Sequence, residues 1–146
     1  MRYDEFLEIV AQLKQSNPIW FELDSDPPAT KNDIKTAERQ LNIIFPEEYK
    51  MFIQTFGGGY FAFTVIYSVS VKEEWSLVNQ NKLLDLLDKQ QFLAISDNQA
   101  GDYYGYKIEK GVSKNTIYVY DHEDQKIRKT KYQNLYEYLV EVGLKQ

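Results

Sequence analysis

The one histidine of the chain, His122, stands in the run Asp121-His122-Glu123-Asp124. An imidazole set among carboxylates has the makings of an acid/base pair or a hard-cation site. Asp97 and Asp102 precede it and join the group if the segments that carry them are neighbouring strands. Metal ligation needs several donors converging on one point, which consecutive turn residues do not supply by themselves. The run therefore reads as a solvated hairpin turn, and no catalytic residue, metal or cofactor is expected. A small acid/base or metal enzyme built on Asp102, Asp121 and His122 is the competing reading.

Other chemistries are excluded by residue type or by context. The chain has no Cys, which rules out disulfides, thiolate metal sites and a cysteine nucleophile. Gly57-Gly58-Gly59 follows a helix and lacks a trailing Lys, whereas a phosphate loop precedes a helix and uses its positive end. No Ser sits in a Gly-x-Ser-x-Gly elbow. Lys126, Arg128, Lys129 and Lys131 form a basic run, but the chain carries a net charge of -5 and repels phosphate backbones at long range. The run fits an edge strand, where basic side chains discourage edge-to-edge pairing.

The elements that carry these residues follow from periodicity. Tyr3, Phe6, Val10 and Leu13 predict a first helix over about 2–15, ended by Asn17-Pro18. Asp24 to Pro28 is a loop. Thr30 caps a second helix with Ile34, Ala37 and Leu41 on its buried stripe, and Asp33 suits the positive end. Pro46 is expected at the first position of a third helix, whose Tyr49, Phe52, Ile53 and Phe56 share one face. Gly57 is expected to end it in the left-handed conformation. From Tyr60 to Val71 the period changes to two, which predicts one long strand or two joined by a bulge, with Phe61, Phe63, Val65, Tyr67, Val69 and Val71 on one face. A helix over about 79–90 is centred on Leu83, Leu84 and Leu87. Strands are expected at 92–95, 103–108, 116–120 and 126–129, with turns at Gly111 and at 121–124, and a last helix carries Leu135, Leu139 and Val142. Strands cluster instead of alternating with helices. The fold class is therefore α+β, a mostly antiparallel sheet with N-terminal helices, an inserted helix and a C-terminal helix packed on it.

A chain of 146 residues suits one domain, 1–146. Its 12 Tyr, 8 Phe and 2 Trp favour a partly aromatic surface, as interaction proteins often have. The first 28 residues set Arg2 and Lys14 against six carboxylates, an imbalance that attracts a basic partner. Acidic residues at the N-terminus stand where a signal peptide would be apolar, and no stretch is apolar enough to span a bilayer. A cytoplasmic location with no membrane contact is expected.

Ile34, Ala37, Glu38 and Leu41, the turn Asn42 to Phe45, then Pro46-Glu47-Glu48-Tyr49-Lys50-x-Phe52 and Phe56-Gly57-Gly58 together resemble the SUKH superfamily, the Smi/Knr-type group. Phe92 to Ile95, Gly101 to Tyr104, Ile117 to Glu123 and Leu135 to Leu139 resemble its later strands and closing helix. The similarity covers about 30–140. Asn42 to Phe45 departs from the usual Gly and Leu, and Thr55-Phe56 replaces the usual Asn. The resemblance implies a protein-binding function without shared catalytic residues. Many bacterial members are immunity proteins that bind and neutralise a cognate toxin domain, often a basic nuclease; the alternative is a regulatory interaction module like the cell-wall assembly regulators. On this reading the partner-binding residues are Asp97, Asp102, Tyr103, Tyr104, Asp121, Glu123 and Asp124. A rival face is the acidic set Glu22, Asp24 and Asp26.

Overall fold

The computed structural model describes residues 1–70, 73–109 and 112–145. Val71, at the end of the expected long strand, and the expected Gly111 turn lie outside the described residues. Helix α1 spans Tyr3–Ser16 and buries Phe6 and Val10, as the spacing predicts. Pro18 then opens a single 3-10 turn, Pro18–Phe21, which the periodicity did not announce. Helix α2 covers Lys31–Leu41. The Asp33 N–H donates to Thr30 Oγ1 at 3.1 Å and the Thr30 N–H donates back to Asp33 Oδ2 at 3.0 Å, a reciprocal cap that satisfies otherwise orphan donors.

Helix α3 covers Glu47–Phe56 and buries Glu48, Tyr49, Phe52 and Ile53. Two details of its ends differ from expectation. Pro46 has ψ 141 and stands just outside the helix; its C=O accepts from the Tyr49 and Lys50 N–H groups, so it caps the helix without entering it. Gly57 has φ 74 but ψ -161, outside the left-handed helical region. A Cβ there would lie 2.1 Å from the Asp26 carbonyl oxygen, so both the dihedrals and the close approach demand glycine.

The long strand is instead a hairpin. Strand β1, Gly59–Phe61, pairs with β2, Thr64–Ile66, about a tight turn at Ala62-Phe63, where Ala62 takes φ 51. Folding back in this way breaks the alternation: Ala62, Thr64 and Ile66 are buried, while Phe63 is 47% exposed. The expected inserted helix is two helices, α4 (Leu77–Leu84) and α5 (Leu86–Gln90), divided by Asp85 at φ 57. The break resets the register. Leu77, Val78 and Leu86 turn inward, and Leu83, one of the three leucines on which the expected helix is centred, is 81% exposed.

The remaining strands are β3 (Phe92–Asp97), β4 (Tyr103–Glu109), β5 (Val112–Ser113), β6 (Tyr118–Asp121) and β7 (Lys126–Lys129). Ser96 and Asp97, expected in a loop, extend β3. The sheet order is β1-β2-β3-β4-β6-β7, with β5 on β4, and every neighbouring pair is antiparallel. The chain closes with α6 (Leu135–Tyr138), which runs into a π-helical turn, Leu139–Gly143. The protein is thus α+β. No helix among the described residues is long and apolar enough to cross a membrane.

The core is one continuous cluster. Phe6 meets the rings of Phe52, Phe56, Phe61 and Tyr136, which ties α1, α3, β1 and α6 together. Two buried polar side chains stitch the layers. Asn81 of α4 donates to the Ala94 C=O at 2.8 Å and accepts from the Ala94 N–H at 2.9 Å. Its amide therefore stands in for the strand that β3 lacks beyond the end of β2. Glu48 of α3 accepts from the Tyr106 hydroxyl at 2.7 Å and the Leu135 N–H at 2.6 Å, both through Oε2, and so joins α3 to β4 and α6. At one sheet edge, Asp24 and Asp26 bond the backbone of Tyr60 and Gly58; the other edge, β7, exposes Lys126, Arg128 and Lys129.

Candidate partner-binding surfaces

Strand pairing decides which of the chemistry-bearing residues meet. Asp97 pairs with Tyr103, Tyr103 with Tyr120, and Asp121 with Lys126. The 98–102 loop and the 122–125 turn therefore emerge side by side from one end of the sheet. His122 Nδ1 lies 2.6 Å from Asp102 Oδ1, and the same oxygen accepts the His122 backbone N–H at 3.0 Å. Asn98 Nδ2 donates to Asp102 Oδ2 at 3.1 Å. These bonds, led by the His122 backbone N–H, hold the Asp102 carboxyl below its ordinary pKa, and the Asp102 contact raises that of the His122 ring. Gly101 (φ 105) makes the contact possible: a Cβ there would lie 2.9 Å from the imidazole Cγ.

The neighbouring carboxylates are also bonded within the fold. Arg128 pairs with Asp124 through both guanidinium nitrogens and reaches Asp121 Oδ2 at 3.4 Å. Asp124 is pulled below its ordinary pKa chiefly by that hydrogen bond. Asp121 Oδ1 accepts the Glu123 N–H at 2.9 Å. Asp97 accepts the Tyr67 hydroxyl at 2.6 Å and the Gln99 N–H at 2.8 Å. Glu123 is exposed and makes no side-chain hydrogen bond or ion pair among the described residues.

Asp102, Asp121 and His122 offer ligand atoms within 4.8 Å of one another, so the sequence group does converge. Its donors already have partners, and the Arg128 cation stands beside Asp121, an arrangement suited to fastening two turns together. The tyrosines divide. Tyr103 lies on the same sheet face as its partner Tyr120, with ring centres 6.4 Å apart, whereas Tyr104, next in the strand, points to the other face against Tyr138 at 5.1 Å. Burial raises the pKa of both hydroxyls. A groove of about 460 Å³ lined by Lys35, Glu38, Arg39, Asn42, Ile43 and Ile44 shares no residue with this cluster.

The rival acidic face is also divided by the fold. Asp26 is buried and accepts the Ser70 hydroxyl, while Glu22 and Asp24 are exposed. Between and beside them lies an apolar surface that sequence reasoning missed. The 3-10 turn presents Ile19 at 74% exposure, with Leu23 following at 52%. Trp20, half-buried between them, meets the ring of Phe63 edge-on at 4.9 Å. Phe63 is held out at the hairpin turn by its N–H bond to the Gly143 C=O, 2.9 Å. The available signal was the unbroken run Ile19-Trp20-Phe21, which has neither helical nor strand periodicity.

A family model described as SMI1-KNR4 cell-wall, of the SUKH_6 group, matches residues 31–139. No curated protein matches the chain.

Proposed function

This chain belongs to the SUKH superfamily, in the group described as SMI1-KNR4 cell-wall, and on that premise we propose that it is an immunity protein that acts by protein–protein contact. Its partner is a toxin domain of basic surface, in the first place a nuclease, met in the cytoplasm. Docking covers the toxin's active site and so excludes its substrate. Membership in a family whose many bacterial members are immunity proteins carries the proposal.

The physical properties of the chain support it. A nuclease grips phosphates with Lys and Arg, and a partner of net charge -5 approaches such a surface down a favourable potential. In the loop-end group, Asp97, Asp102, Asp121, Glu123 and Asp124 supply negative potential even where these carboxylates are paired internally, with Tyr103 and Tyr104 as aromatic neighbours in β4. The test is co-expression with the toxin domain encoded beside the gene. Restored growth, with a stoichiometric complex recovered from the cells, is the expected outcome; unchanged killing and no complex would sink the proposal. The family description, cell-wall, favours one second reading, a regulatory module that binds a wall-synthesis enzyme or kinase. Specific recovery of such an enzyme, with no protection from a toxin, would establish that reading instead.

A further inference from the structure

We infer that the contact surface for this partner is the apolar cluster Ile19, Trp20, Leu23 and Phe63 with its acidic neighbours Glu22 and Asp24, and that it fits a protein face bearing apolar side chains ringed by Lys or Arg. The inference rests on the proposed immunity function and names the site through which it acts.

Four observations converge. First, Ile19, Leu23 and Phe63 are among the large apolar side chains left exposed, and Trp20 links the segment that carries the first two to the hairpin turn. Ile19 and Leu23 lie within five residues of each other at 74% and 52% exposure, and Phe63 joins them through the Trp20 ring at 47%. Contiguous exposed apolar surface with an aromatic centre is the composition of an interface core, and Trp is the residue type most often found to anchor one. Second, the indole N–H of Trp20 has no hydrogen-bond partner among the described residues, so a donor remains for a partner to use. Third, the charges here are uncommitted. Glu22 and Asp24 are exposed and make no side-chain ion pair among the described residues, whereas Asp102, Asp121 and Asp124 are bonded to His122 and Arg128. An unpaired carboxylate presents its full charge to a partner; a carboxylate already paired with a guanidinium presents a smaller one. Fourth, the family match begins at residue 31, so Ile19, Trp20 and Leu23 lie outside the matched stretch, while Phe63 lies within it.

The chemistry of the rim selects the occupant. A second copy of this chain would set Glu22 and Asp24 against the same two carboxylates, and like charges at a closed interface oppose association. A basic protein face meets both the apolar centre and the rim. Lys14 forms no ion pair with Glu22 or Asp24 among the described residues; its ammonium lies 5.5 Å and 5.4 Å from the ring centres of Phe21 and Phe56.

The probe is the toxin domain encoded beside the gene, inactivated at its catalytic residue, with binding followed by calorimetry. Ile19→Ser with Leu23→Ser alters two exposed side chains and leaves the Trp20–Phe63 ring pair in place, and circular dichroism checks the fold. The inference predicts at least about a 30-fold loss of affinity for this double variant. For Glu22→Lys with Asp24→Lys it predicts roughly tenfold slower association, with a weaker dependence on salt. Glu123→Lys, at the loop end, should change affinity less than about threefold. Protection of growth in cells should follow the same order. If the wild type binds and both double variants bind equally well, this surface is wrong and the immunity reading stands. If Glu123→Lys is the variant that loses binding, the loop end is the contact and this inference falls. If the wild type itself neither binds nor protects, the inference and the proposed function fall together.

Discussion

Replacing Glu48 by Gln should reverse its effect on stability across the neutral pH range. Glu48 is 7% exposed, and its Oε2 accepts from the Tyr106 hydroxyl and the Leu135 N–H. Burial pushes the carboxyl pKa up from 4.5 to about 7, against the pull of those two donors and the N-terminal ammonium. The folded state therefore holds this proton more tightly than the unfolded state does. The resulting stabilisation is fully present below pH 4.5 and is lost as pH rises through 7. At about 1.4 kcal/mol per tenfold change in proton affinity, the rise from 4.5 to about 7 corresponds to roughly 3 kcal/mol. Gln keeps an oxygen that can accept from both donors but cannot ionise. Urea unfolding of both proteins at intervals from pH 4 to pH 8 should show the Gln variant gaining about 2–3 kcal/mol relative to the wild type over that range. A constant difference, or a wild type that gains on the variant as pH rises, would refute the reasoning. It would mean that two short hydrogen bonds and the positive end of α3 outweigh the cost of burying the charge.

Asn81→Ala should destabilise the fold by about 2–4 kcal/mol, because it leaves the buried Ala94 N–H and C=O unpaired; Asn81→Asp should also destabilise, since it removes the amide donor, and urea midpoints decide both. Gly105→Ala should abolish native folding, as the new Cβ would fall 1.8 Å from the Leu93 carbonyl oxygen in the β3–β4 ladder; soluble protein with a native near-ultraviolet spectrum would contradict this. Asp102→Asn should lower the His122 titration midpoint, seen by NMR, toward the ordinary 6.5, because Asp102 is the principal cause of its elevation. In the wild type this elevated pKa makes a contribution that is present below about pH 6.5 and lost as pH rises through the folded midpoint.

Elements governed by local chemistry were legible in the sequence. The cap Thr30-Asp33, the buried stripe of α3 and the apolar strand Phe92–Ile95 each depend on residues within a few positions of one another. So did the basic edge strand β7, since lysines that protect an edge are written in the strand itself. The errors lie where a short local choice resets everything downstream. Ala62 at positive φ turns one long strand into a hairpin, and Asp85 at positive φ splits one helix into two. Ala62 is not a turn former, and Asp85, though Asp tolerates positive φ, stands alone inside a leucine-rich run whose pattern continues across the break. The candidate site was partly legible for the same reason. The structure brings Asp102 and Asp121 together with His122, whereas Asp97 bonds Tyr67 and Gln99, and alternation within β4 turns Tyr103 and Tyr104 to opposite faces.

By itself the sequence determined the α+β class, the family and the local devices that start and stop helices, because capping, periodicity and glycine placement act over a turn or two. Tertiary structure decided which charges and rings are available to a partner. Asp26 is buried and bonded to Ser70 while Asp24 is exposed, and Asp102 is bonded to His122 and Asn98 while Glu123, next to His122 in the chain, is not. Phe63 is exposed because a hairpin turn and the Gly143 carbonyl hold it there. Exposure and pairing depend on neighbours brought from tens of residues away, and no local pattern records them.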